Sequence, residues 1–242
     1  MNYGIYPLTC AKYEQTRVKT IMGTWAKDHL GVVTFLGDRH VETPQGQVLQ
    51  MDCMDPKDAH PPLTDNPYED APHKIFNAFR TLADSENDWL FFCDDDTYVK
   101  VSLLEEYIRK IESAFGKEHV AVWGNNMLGN YEKDRSLVYP SGGAGYLVNR
   151  ATLQKVRPFL DTVERSTPDS WGDVMLGFAM RSANISIIDD EVFFDLSFED
   201  EWKEWQWSQG EVNKTPAISY HYMTPEKMIS LHKLLDNKPA WI

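Results

Sequence analysis

The most apolar run in the chain, Trp89-Leu90-Phe91-Phe92-Cys93, shows no alternation of apolar and polar positions. A short run of that kind predicts a strand covered on both faces. Ahead of it, Tyr3 to Cys10 reads as a first strand and Val32 to Leu36 as a second. Between them Val18, Ile21, Met22 and Trp25 share one face of a helix over Tyr13 to Trp25. Strand, helix and strand joined by short links predict the start of an α/β domain with a central, mostly parallel sheet flanked by helices.

Residues 40 to 72 carry Asp55-Pro56 and His60-Pro61-Pro62 and read as loop, with one strand at Val48 to Met51. Helical spacing returns at His73 to Leu82 and again at Leu103 to Phe115, where Leu104, Tyr107, Ile108 and Ile111 share a face. Val120 to Trp123 and Tyr146 to Val148 are strand-like, and Ser141-Gly142-Gly143-Ala144-Gly145 between them breaks both periodicities. Helices follow at Ala151 to Phe159 and from Asp173 to Met180, then strands at Ile185 to Ile188 and Ala217 to Tyr222. Thr224-Pro225-Glu226 opens a last helix.

At 242 residues the chain fits one domain, 1–242. Its formal charge of −13 argues against nucleic acid or an anionic membrane as the main partner. No stretch approaches the length of a membrane span, and the start lacks the pattern of a signal peptide. Cys10, Cys53 and Cys93 are widely spaced and suggest neither a disulfide framework nor a zinc site, so a reducing compartment is the simpler expectation. The N-glycosylation patterns at Asn184 and Asn213 read as chance matches.

Chemistry concentrates where the apolar strand ends, at Asp94, Asp95 and Asp96. In open α/β sheets ligands gather beyond the carboxyl ends of strands. Alternation along an extended chain sends Asp94 and Asp96 one way and Asp95 the other, so two carboxylates can converge on one hard cation. A cation between carboxylates and a diphosphate reverses an otherwise repulsive contact. An acidic loop closing a strand is the alternative on the residues alone.

Five segments in order resemble the fringe and core-1 β1,3-galactosyltransferase group of inverting glycosyltransferases, which have a GT-A (Rossmann-like) fold. They are Arg17-Val18-Lys19-Thr20 with Thr24-Trp25, Trp89 to Val99, Ser141 to Tyr146, Asp173-Val174-Met175-Leu176-Gly177, and Ser219-Tyr220-His221-Tyr222. The family's paired acidic residues in the fourth segment appear here as Gly172-Asp173, and its lumenal cysteines and membrane anchor have no counterpart.

The resemblance implies that roughly residues 1–100 bind the nucleotide sugar and 101–242 the acceptor. It makes Asp96 and His221 metal ligands, with Mn²⁺ the expected ion and Mg²⁺ the alternative, and Asp173 the catalytic base. Asp94 then faces the ribose or diphosphate, Asp95 holds the turn or a sugar hydroxyl, and Gly142 and Gly143 let the backbone approach the donor. Arg17 is placed to reach the diphosphate and Asp38 the base or ribose. Each also has a plain structural reading: His221 as a hydrogen-bonded core residue, Asp173 as a helix-terminal carboxylate, the glycines as a tight turn, Arg17 as a solvated helix residue and Asp38 as turn chemistry. Trp202, Trp205 and Trp207 suit stacking on an acceptor sugar or packing over the core.

The expectation is therefore a metal-dependent transferase moving a hexose, galactose first, from a UDP-sugar to a hydroxyl of a glycan or glycoprotein acceptor. Another UDP-sugar such as UDP-N-acetylglucosamine or UDP-glucose, a non-catalytic sugar-binding relic, and a metal-dependent phosphohydrolase are the competitors. Without signal or anchor the chain is expected to be cytoplasmic, of bacterial or viral origin, or one module of a longer polypeptide.

Overall fold

The computed structural model describes residues 1–37, 41–42, 48–49, 67–129, 131–167, 171–199 and 217–236. Its centre is a five-stranded sheet in the order β1 (Tyr3–Leu8), β4 (Trp89–Asp94), β9 (Tyr146–Asn149), β6 (Ala121–Gly124), β10 (Ser186–Asp189). β1 pairs with β4 and β6 with β10 in parallel, whereas β9 runs antiparallel to both of its neighbours. Four strands thus share one direction, and the reversed β9 makes the sheet mixed.

The unalternating run in β4 is explained by cover on both faces. Trp89, Phe91 and Cys93 join one core with Ile5, Trp123 and Leu147, under α1 (Lys19–Gly23) and α3 (Val101–Phe115). Leu90 and Phe92 point into the other core with Tyr6, Val122 and Val148, under α2 (Pro67–Leu82), α4 (Arg150–Ser166) and α5 (Gly172–Ser182). α4 passes through Pro158, beyond the expected stop at Phe159, because Leu160 and Val163 continue the buried face set by Leu153 and Val156. Burying each such side chain contributes roughly 1.5–3 kcal/mol, comparable with the ~3 kcal/mol that an interior proline costs a helix.

Three expected elements take a different form, and the first is α2, which begins at Pro67 and passes through Pro72, inside the stretch expected as loop. Val32 to Leu36 lies along β1 through bridges at Val33 and Leu36 only, since Pro7 of β1 offers no N–H to continue the ladder. The expected helix over Tyr13 to Trp25 is divided into a 3₁₀ turn at Ala11–Tyr13, a wide π-type segment at Glu14–Val18, and α1. Thr16, Thr20 and Thr24 each return their hydroxyl to a carbonyl three or four residues earlier, which competes with the regular helix ladder.

Short pairs complete the architecture. β2 (Val41–Glu42) pairs with β3 (Val48–Leu49), and β7 (Asn126–Leu128) with β8 (Val138–Pro140). A second sheet has the order β11 (Phe193–Phe194), β12 (Ser219–Tyr220), β5 (Tyr98–Val99), and α6 (Pro225–Asp236) closes the described chain. Among the described residues no helix is long and apolar enough to cross a membrane.

Candidate active site

The ends of the two sheets meet. In the second sheet β11 and β12 are parallel and β5 antiparallel to β12, so the residue after β11, the residue after β12 and the residues before β5 share one end. Those residues are Asp195, His221 and Asp96. In the central sheet Asp94 ends β4, and β9 pairs back along it from Tyr146, which carries the Ser141–Gly145 turn over the same end.

Asp94, Asp96 and His221 each present a ligand atom within 4.8 Å of the other two. A divalent ion with bonds of about 2.1 Å places adjacent ligands about 3 Å apart and opposite ones about 4.2 Å apart, so this cluster is close to the size one ion spans. Two carboxylates with one imidazole also suit a first-row divalent metal better than Mg²⁺ or Ca²⁺. His221 Nε2 lies 3.4 Å from Asp96 Oδ1. Asp95 faces away, as alternation predicts: Oδ1 accepts from Arg17 Nη1 at 2.6 Å and Oδ2 from Thr9 Oγ1 at 2.6 Å. Arg17 also lies 3.3 Å from Asp96 and stacks on Tyr13. Its guanidinium therefore ties the acidic turn to the π-type segment.

The electrostatics follow from crowding. Burial, then the charge of Asp96, pushes the Asp94 carboxyl up to about 7. Burial also raises Asp95, against the bonds from Thr9 and Arg17. For Asp96 burial is overcome by His221 and Arg17, which hold it below the usual carboxylate range. Burial opposes charge on His221, yet hydrogen bonding to Asp195 and Asp96, with the fields of Asp96 and Asp94, brings it up to about 9.

Asp173 stands in the first turn of α5, where Oδ1 accepts from Val174 N at 2.8 Å. Burial pushes its carboxyl up to about 6 against the pull of backbone N–H groups from Val174 and Gly142. The glycine turn lies between this carboxylate and the Asp94, Asp96 and His221 cluster. A methyl on Gly142 would touch Asp173 at 3.8 Å, and one on Gly143 would overlap the ring of His221. Gly145 has a φ of 84° and backs onto Phe91, so neither its conformation nor its space suits a side chain. The turn is pinned by Thr97 Oγ1, which donates to Gly143 O at 2.7 Å, and by Ser219, which donates to Ala144 O.

The profile of the Fringe-like family matches residues 7–239. The chain belongs to the Fringe-like family. Human "Chondroitin sulfate synthase 3" is 25% identical over 188 residues, covering 72% of this chain and 20% of that protein. "Glycoprotein-N-acetylgalactosamine 3-beta-galactosyltransferase 1" of Xenopus laevis is 27% identical over 170 residues, covering 61% of this chain and 45% of that protein. The chain thus spans less than half the length of either relative. The crystal structure of the galactosyltransferase LgtC with donor and acceptor sugar analogues superposes with a TM-score of 0.56 at 12% identity, covering 98% of both chains, which shows the shared GT-A fold.

In this Fringe-like chain the structure brings together Arg17, Asp94, Asp95, Asp96, Gly142, Gly143, Asp173 and His221. Asp38, Trp202, Trp205 and Trp207 lie outside the described residues. Sequence reasoning missed Asp195, which accepts from Ser141 Oγ and lies 3.2 Å from His221 Nδ1. Its only signal is an acidic residue directly after the apolar pair Phe193-Phe194, the pattern that flagged Asp94. Tyr222 was also missed in this role: it stacks on His221 with ring centroids 3.8 Å apart and holds a φ of 53°, a strained value for a side-chain-bearing residue.

Proposed function

We propose that this chain is the catalytic domain of a metal-dependent, inverting glycosyltransferase that moves a hexose, galactose first, from a UDP-sugar to a hydroxyl of a glycan or glycoprotein acceptor. One observation carries this reading: a three-ligand cluster, Asp94, Asp96 and His221, lies across a glycine turn from a buried carboxylate, Asp173. Family membership supports the reaction type, and the name of the Xenopus relative supports galactose.

Mn²⁺ held by Asp94, Asp96 and His221 would supply Lewis-acid stabilisation of the leaving diphosphate without any proton transfer. The remaining work falls to the chain's own groups. Asp95 and Arg17 hold the acidic turn in place from behind. Gly142 and Gly143 leave backbone, not side chain, beside the donor sugar. Asp173 accepts the proton of the acceptor hydroxyl as that oxygen attacks the anomeric carbon from the face opposite the diphosphate. A carboxylate with a pKa near 6 is ionised at neutral pH and a better base than an exposed one.

A hydrolase built on the same acidic turn would release UDP without an acceptor. The deciding experiment incubates the protein with a panel of UDP-sugars and Mn²⁺, with and without sugar acceptors, and measures UDP. Acceptor-dependent release, highest with UDP-galactose, is expected. Equal release without acceptor would replace transfer by hydrolysis, and a preference for another sugar would change the donor alone.

A further inference from the structure

Asp195 belongs to none of the motifs that drew attention to the site, yet it touches two of them. It follows β11, and the parallel pairing of β11 with β12 sets it beside His221, which follows β12. The main chain reinforces that register: His221 N donates to Phe194 O at 3.2 Å and to Leu196 O at 3.0 Å, the carbonyls on either side of Asp195. A single oxygen, Asp195 Oδ1, accepts from Ser141 Oγ and faces His221 Nδ1 at 3.2 Å.

The chemistry of that contact is directional. An ionised carboxylate offers only acceptors, so the ring nitrogen facing it carries a proton. Nδ1 is then the N–H, and Nε2, 3.4 Å from Asp96, is the nitrogen left to bind a cation once its own proton has gone. Ser141 extends the link. Its hydroxyl oxygen accepts from Ala144 N at 3.2 Å, so the turn that packs Gly143 on the imidazole is tied to the same carboxylate.

We propose that Asp195 is a positioning residue, fixing the tautomer and plane of His221 so that Nε2 faces Asp94 and Asp96, and locking the glycine turn to the imidazole through Ser141. The inference rests on the reading of Asp94, Asp96 and His221 as the holder of a divalent cation. Asp195 reaches the cation only through His221. Partners of this kind typically contribute 10–100-fold in metal affinity, because an unrestrained imidazole must be ordered and its tautomer selected on binding.

The test titrates wild-type protein, Asp195→Ala, Asp195→Asn, His221→Ala and Asp96→Ala with Mn²⁺ alone, following free Mn²⁺ by electron paramagnetic resonance. Asp195→Ala is expected to weaken binding roughly 10–100-fold. Asp195→Asn keeps an oxygen toward Nδ1 and is expected to recover most of that loss, which general damage to the fold would not allow. Wild-type affinity in Asp195→Ala, with binding lost in His221→Ala and Asp96→Ala, overturns the positioning role and leaves the metal site standing. Unchanged binding in all four variants removes the metal site itself. A measurement needing no variant is the ¹⁵N histidine spectrum of the wild-type protein with Cd²⁺. His221 is expected with Nδ1 protonated and Nε2 bound to the metal, and the reverse assignment refutes the proposal whether or not Asp195→Ala folds.

Discussion

Gly143 packs directly on the imidazole of His221, leaving no room for a β-carbon between the glycine turn and the ring. This contact joins two segments 78 positions apart in the chain and lets the turn and the cluster share one wall. Gly143→Ala should displace His221 from Asp94 and Asp96. The expected result is at least a tenfold loss of Mn²⁺ affinity, with the helical circular-dichroism signal unchanged. Retained affinity would mean that the turn moves freely and does not shape the site.

UDP should raise the melting temperature strongly with Mn²⁺ and little with a chelator, because the cation bridges otherwise repelling anions. Asp96→Ala should abolish that difference. Equal shifts under both conditions would take Asp96 and His221 out of the donor site.

Asp94→Asn tests the cost of charge crowding. The folded pKa of Asp94, about 7, lies above the ordinary 3.8, so its contribution to stability is fully present below pH ~4 and is lost as pH rises through about 7. At pH 8 the native protein holds an unfavourable charge, and the neutral amide removes it. The apo variant should therefore melt higher than wild type at pH 8, with the gap closing toward pH 5, while Mn²⁺ binding weakens. A lower melting temperature at pH 8 would count against the crowded-carboxylate account.

Asp173→Asn keeps the side chain's shape but cannot take the acceptor's proton. Turnover should fall by about 10²–10⁴-fold, with UDP–Mn²⁺ affinity near wild type. In the wild-type enzyme kcat/KM should decline as pH falls through about 6, where Asp173 takes up a proton, and the variant's residual rate should lack that limb. Turnover within a few-fold of wild type would reduce Asp173 to a carboxylate at a helix N-terminus.

Mn²⁺ binding should itself depend on pH, since ligands must give up their protons. With His221 near 9 and Asp94 near 7 in the free protein, about one proton is released per ion between pH 7 and 9 and about two below pH 7. Affinity should rise about tenfold per unit between pH 7 and 9 and level off above. A flat profile over that range would exclude His221 as a ligand.

The chain's own pattern settled the elements that are buried on a fixed period. β4 was legible because a strand covered on both faces has no polar position to interrupt it, and α3 because its apolar residues return to one face. Alternation alone separated Asp95 from Asp94 and Asp96, and ordered motifs identified the family. The reversed direction of β9 was not legible, since strand pairing depends on contacts far apart in sequence that no local period records. Nor was the break in the Tyr13–Trp25 helix, where threonine hydroxyls compete for the carbonyls that a helix needs. Tertiary structure alone decided that Asp195 meets His221: the two are 26 residues apart, and only the parallel pairing of two short strands brings their ends together.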